Sequence, residues 1–321
     1  MRTFASIAIC ILAAGAANAF DSAEWLGKRE LLLREAERLR AAYSNCLEKA
    51  KTPAEDVTMP IETFEDGSVK SVVAAKKAQF FQKDGMIWAE GVVITKFAQD
   101  GSRELCIEAE RCVVDRMTKS GWAEGRASFV QGGTRFGGEN VYFSSPESYV
   151  HVCAASDFET SDAAAGGAGL PQKKAKSGGK KEGTLKVRSR SSDIDRKAGV
   201  AMLEGGVRVE HSDGYALDAD SAYLFTGAEN ELNRIVASGN VAVSNGARRA
   251  TCPLAVYRRA KKEIEMFGDG KGSYARLEEN EGGGRELEGR CIRFWLDTEQ
   301  VEVDEPRITV GTTGGKGVVL P

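Results

Sequence analysis

"GYALDADSAYLF" (residues 214–225) is followed by "VASGNVAVSNG" (residues 236–246). An Ala-Asp pair precedes one alternating apolar run, and Gly-Asn precedes the next. In the second run Val241 and Val243 project to one side of a strand and Ala242 to the other; Val207 and Val209 flank Arg208 in the same way. One side of such a sheet is dry.

The Ala-Asp pattern recurs along the chain. In one register the copies read Ala75-Lys76-Lys77-Ala78-Gln79-Phe80, Ala109-Glu110-Arg111-Cys112-Val113-Val114, Gly138-Glu139-Asn140-Val141-Tyr142-Phe143, Ala219-Asp220-Ser221-Ala222-Tyr223-Leu224, Cys252-Pro253-Leu254-Ala255-Val256-Tyr257 and Gly289-Arg290-Cys291-Ile292-Arg293-Phe294. The fourth and sixth positions are apolar in all six, against a 42% apolar background. Copies lie 34 and 29 residues apart in the first half of the chain and 33 and 37 in the second, the spacing of a repeat architecture. Between them stand Gly-led strands, "EGVVITK" at 90, "EGRASFV" at 124, "EGGVRVEH" at 204 and "SGNVAVSN" at 238. The small residue that opens each six-residue unit breaks strict alternation, which predicts a bend or bulge where the chain turns a corner. The expected fold class is therefore all-β: a repeat-built, elongated, folded-over sheet with a continuous apolar interior. That interior reads as solid core or as ligand groove, and periodicity alone favours core.

The rest of the chain divides around these repeats. Residues 1–19, with Arg2, an apolar stretch and Ala17-Asn18-Ala19, read as a cleaved secretory signal. Residues 20–52 read as an amphipathic helix, with Leu32, Ala36, Leu39, Tyr43, Cys46 and Leu47 at helical spacing and a stop at Thr52-Pro53; packing on a domain face is its expected role. Repeat modules occupy 57–158 and 185–312. A Gly/Ala/Lys-rich linker at 159–184 separates them, and 313–321 forms a tail.

Composition narrows the chemistry. With 44 basic and 47 acidic residues the formal net charge is −3, which argues against a nucleic-acid partner. Six cysteines follow the signal, a number that permits disulfides without deciding their pairing; buried small apolar cysteines are the alternative. There is no Cys-x-x-Cys, and His151 and His211 are the only histidines, so neither a metal site nor a cofactor is expected. No nucleophile elbow, phosphate-binding loop or zinc-protease motif occurs, and no catalytic residue is expected.

The stretch "VRSRSSDIDRKAGVAMLEGGVRVEHSDGYALDADSAYLF…NRIVASGNVAVSNG" resembles the OstA-like family of periplasmic lipopolysaccharide transport proteins, to which LptA, LptC and the N-terminal domain of LptD belong. The resemblance is carried by Ser192 to Asp195, Gly206-Val207, Ala219-Asp220 and Gly239-Asn240-Val241. It covers about 185–312, and more weakly 57–158. It implies V-shaped β-jelly roll (β-taco) modules whose inner face holds acyl chains, and a non-enzymatic periplasmic carrier or bridge for lipopolysaccharide or a related glycolipid. It also implies partner envelope proteins joined by β-edge pairing, with self-association through the same edges. On this reading Val207, Val209, Leu217, Tyr223, Ile235, Val241, Val243 and Val256 line the lipid groove. Two modules, the helix and the linker depart from the family's simple end-to-end bridge. Two other readings stand beside it: a glycan-active β-solenoid enzyme using Asp218 and Asp220, and a structural envelope protein that binds only other strand edges.

Overall fold

The computed structural model describes residues 22–131, 134–161, 184–212, 214–227, 232–270, 272–279, 285–295, 298 and 300–310. The expected signal at 1–19, most of the expected linker and the tail at 313–321 lie outside the described residues. The chain forms two compact units: residues 1–159 with 190–201, and 160–189 with 202–321.

The first unit holds α1 (Ser22–Lys49), β1 (Ala54–Thr63), β2 (Val69–Phe81), β3 (Met86–Phe97), β4 (Arg103–Asp115), β5 (Ser120–Gln131), β6 (Thr134–Ser144), β7 (Tyr149–Ser161) and, after β8 (Thr184–Ser189), the strand β9 (Ser191–Asp195). Strands β1 to β6 pair antiparallel in sequence order, and β9 pairs with β7. Asp-Gly-Ser turns close two of the hairpins. Asp66 and Asp100 each accept bonds from the backbone N–H and hydroxyl of the serine two residues on, and Gly67 and Gly101 take the positive φ.

Each long strand bends where the six-residue units open. Between β4 and β5 the register shifts at Ala109/Arg111, and between β5 and β6 at Ala123/Arg126. Gly91 and Gly125 sit on this crease with positive φ. The charged second residue of the neighbouring unit lies over each glycine: a Cβ on Gly91 would meet Lys76 Cδ at 2.8 Å, and one on Gly125 would meet Glu110 Oε2 at 2.6 Å. Asn140, also at positive φ, accepts the Gly125 N–H at 3.1 Å. Glycine is required because it tolerates the left-handed backbone and leaves room for the crossing side chain.

The crease folds each sheet into two limbs. In the first unit Ala75, Val92, Ala127 and Phe129 on one limb share a single buried cluster with Ala78, Ala89, Cys112, Ala123 and Val141 on the other. The fourth residue of all six repeat units is buried: Ala78, Cys112, Val141, Ala222, Ala255 and Ile292 are each at most 4% exposed. The sixth residue is less uniform; Tyr257 and Phe294 are buried, Val114, Phe143 and Leu224 are half-buried, and Phe80 is exposed. The fourth position adjoins the crease, where limbs meet, and the sixth lies farther out, where they diverge.

Helix α1 covers the outer face of one limb. Ala36, Leu39, Tyr43 and Cys46 pack on Met86, Trp88, Val113, Trp122, Tyr142 and Tyr149, so its apolar stripe is used for packing as the spacing predicts. Glu24 in the first turn and Lys49 in the last match the helix dipole.

The second unit holds β8, most of β10 (Val200–His211), then β11 (Ala216–Thr226), β12 (Leu232–Ser244), β13 (Arg248–Arg258), β14 (Glu263–Phe267), β15 (Ala275–Glu279), β16 (Arg285–Gly289), β17 (Cys291–Trp295), β18 (Val301–Asp304) and β19 (Arg307–Val310). Register shifts at Asp218/Ser221 and Ser238/Val241 mark its crease. On β13 residues 248–251 pair with β15 and residues 254–258 with β14. Pro253 sits at this change of partner, where its missing N–H removes no ladder bond. Strands β14 and β15, like β16 and β17, are one strand interrupted at the crease; Gly268 N–H to Arg290 C=O (2.9 Å) and Arg290 N–H to Asp304 C=O (2.9 Å) bridge the break. Among the described residues six cysteines are free, five buried and Cys153 half-buried. The repeat-built all-β fold with an N-terminal helix is thus the one expected.

Candidate functional site

In the second unit the limbs face each other across an apolar cleft. Cross-strand register aligns Leu217, Val243, Ala250, Leu277 and Leu287 on one limb. On the other it aligns Leu224, Ile235, Tyr257, Ile264, Phe294 and Val301. One cavity is lined by Val243, Ala250 and Leu277 from the first limb and by Ile264, Met266 and Phe294 from the second, with about 390 Å³ of space including open solvent. Tyr215, Ser244, Asn245 and Arg248 complete its wall.

The eight residues expected to line a groove are distributed unevenly around this cleft. Val243 lines the cavity, Leu217 is its cross-strand partner, and Ile235 lies in the row of Ile264 and Phe294. Val241, paired with Cys252, is buried beside the crease, and Val207 and Val209 are buried on β10. Tyr223 and Val256 share the alternate row, which passes through Val236 and continues into Glu265, Arg293 and Glu302. Sequence reasoning missed Ala250, Ile264, Met266 and Leu277 as lining residues. The alternation of "EIEMF" at 263–267 carries a signal for two of them.

The cavity wall has one cation. Arg248 lies over the Phe294 ring, 5.5 Å from its centroid, and donates from Nε to Glu279 Oε1 at 2.9 Å. Its backbone N–H is held by Asn245 Oδ1 at 2.9 Å. The cleft is therefore apolar within and neutralised at that edge.

Residues 186–300 match the family model described as LptA/(LptD N-terminal domain) LPS transport protein. That segment is similar to the LptA/LptD N-terminal domain family. Among solved structures the chain is similar to LptH, the LptA homologous periplasmic component of the lipopolysaccharide transport device from Pseudomonas aeruginosa; identity is 15%, the match covers 43% of this chain and 95% of that one, and the TM-score is 0.33. No curated protein matches the chain significantly.

Within the LptA-like segment the two acids considered for glycan chemistry have separate partners. Asp218 accepts two bonds from Arg208 Nη1 at 2.9 and 3.1 Å, and Asp220 accepts Asn240 Nδ2 at 3.0 Å. His211 is buried beside the turn at Gly214, and Asp213 lies outside the described residues. No group of three His, Cys, Asp or Glu residues among the described residues is arranged to hold a metal.

The Ser-Asp-x-Asp opening of the LptA-like segment is bound into the first unit. Asp193 Oδ2 receives Arg29 Nε at 2.9 Å from α1, while its Oδ1 receives the Tyr149 hydroxyl and faces His151 Nδ1 at 2.8 Å. Lys28 reaches Asp195 at 2.9 Å and Glu147 at 3.0 Å. Burial alone would lower the His151 pKa, but hydrogen bonds to Asp193 and Cys153 outweigh it and hold it at about 9. Burial would likewise raise that of Asp193, yet His151 and Arg29 bring it below the usual carboxylate range. Sequence reasoning left Lys28, Arg29 and Tyr149 out because their partner strand lies more than 40 residues away.

Proposed function

We propose that this protein is a periplasmic, non-enzymatic carrier or bridge component for lipopolysaccharide or a related glycolipid. Acyl chains lie between the two limbs of the folded sheet. The observation that carries this reading is the cleft of the second unit, in which Val243, Ala250 and Leu277 face Ile264, Met266 and Phe294 across open space. An acyl chain entering such a cleft gains roughly 0.8 kcal/mol for each CH₂ removed from water. Transfer needs no bond to be made or broken, and the match of residues 186–300 to a lipopolysaccharide transport family model supports the choice of cargo. The periplasm is the compartment that fits this cargo.

Edge strands supply the contact with other envelope components. Strand β1 has β2 as its registered partner and is largely exposed along its length, a template for another chain's strand. Self-association through the same edge is part of the reading.

Mass spectrometry of small molecules retained by the protein purified from its own envelope tests the proposal. An acylated glycolipid retained by the wild type and lost with Phe294→Asp supports it. Protein that is folded yet free of lipid at native abundance refutes it.

A further inference from the structure

We propose that Arg248 is a strap across the mouth of the second unit's cleft, lying over Phe294 when closed and swinging clear to let an acyl chain enter or leave the cavity. The inference rests on the carrier reading and adds to it the residue that governs exchange of the chain.

Cross-strand register orders the cavity from crease to mouth. On one limb Met266 pairs with Ile292 beside the crease, and two residues farther out Ile264 pairs with Phe294. On the facing limb Ala250 pairs with Leu277, and two residues farther out Arg248 pairs with Glu279. Period-two alternation gives Arg248 the same face as Ala250, so it belongs to the cavity wall while standing at its rim. From there the guanidinium reaches over the Phe294 ring, 5.5 Å from its centroid. The contact joins the rims of the two limbs, and Ala250, Leu277 and Met266 lie behind it, toward the crease.

The anchoring of Arg248 suits a part that moves. Its backbone is held twice by the hairpin turn: Asn245 Oδ1 accepts the Arg248 N–H at 2.9 Å, and Asn245 N–H donates to the Arg248 C=O at 3.1 Å. Movement at this position is therefore left to the side-chain torsions. Glu279 Oε1 receives Arg248 Nε at 2.9 Å from the adjacent strand of the same limb, so it neutralises the cation without tying the limbs together. A cation on an aromatic face is a weak contact where water has access, and 26% of the Arg248 side chain is exposed. The strap opens without unfolding the sheet. A leucine at 248 would extend the apolar wall; arginine instead supplies a closure made of one weak, reversible contact.

The test is stopped-flow fluorescence of the full chain with cis-parinaric acid and its uncharged methyl ester, each below its micelle concentration. Arg248→Ala should raise both the entry and the release rate of the methyl ester about fivefold, the factor set by a partly exposed cation–π contact. Arg248→Lys, which keeps the charge beside Glu279 but not the guanidinium plane, should fall between wild type and alanine. Phe294→Leu should remove most of the effect of Arg248→Ala, because the strap then has no ring to close on. A rise in release with entry unchanged would mean that Arg248 only lines the wall, equal rates in wild type and variants would mean that chains use another route, and an effect confined to the acid would assign Arg248 to headgroup charge. Each of these overturns the strap while leaving the cleft intact. Failure of both probes to bind would overturn the carrier reading itself.

Discussion

The Asp220 carboxylate occupies the space that a side chain on Gly239 would need. Gly239 and Asn240 both have positive φ, and Asn240 Nδ2 donates to the same carboxylate at 3.0 Å. This is why an Ala-Asp pair on one strand recurs with Gly-Asn on the next: together they make the crease. Gly239→Ala should therefore cost more than the roughly 1 kcal/mol of a left-handed alanine, because Asp220 must also move. In urea titrations Asp220→Ala combined with Gly239→Ala should recover the steric part and leave the backbone part. Simple additivity of the two variants would show that the contact carries no energy.

The ionic cluster around Asp193 makes stability depend on pH. His151 is raised from 6.5 to about 9, so its contribution is complete below about pH 6.5 and fades as pH rises through 9. Asp193 is lowered, so its contribution is lost only as pH falls below the usual carboxylate range. Thermal unfolding should show stability dropping between pH 7 and 9.5 by up to about 3 kcal/mol. His151→Gln should flatten that slope. An unchanged slope would place the titration elsewhere.

Helix α1 should be an integral part of the first unit. Leu39 is 0% exposed and packs in the cluster with Trp88 and Trp122, so Leu39→Ala should cost about 2–5 kcal/mol. Arg29→Gln should free the N-terminal turns without emptying that core. Hydrogen exchange would register it as faster amide exchange over residues 22–30 and 191–195, with the β3 to β5 amides unaffected.

Thiol chemistry should separate the cysteines. Burial pushes Cys112 and Cys252 up to about 12, and both side chains are shielded, so native alkylation at pH 8 should be slow at each. Cys153, half-buried, should react first. Mass mapping after brief iodoacetamide treatment decides the order.

Cross-linking can test the lining of the cleft. A photoreactive residue at Val243 or Phe294 should capture acyl lipid, whereas one at Arg208, whose side chain is exposed and paired to Asp218, should not. Capture at Arg208 alone would assign the lipid to the opposite face.

The sequence by itself determined the repeat, the crease and the buried fourth position. Each is a local rule: alternation sets the face, a glycine permits the left-handed bend, and apolar residues near the crease have nowhere to go but inward. The helical spacing of Leu32 to Cys46 likewise announced an apolar stripe with a sheet to cover. Only the tertiary structure decided which rows confront each other. Ile264 and Leu277 share a cavity although they lie on different limbs, and the Ser192 to Asp195 opening pairs with β7 and α1. Those contacts depend on how the sheet folds across its crease and which strand meets which, and period-two alternation is blind to both because it records a side chain's face and not the surface opposite.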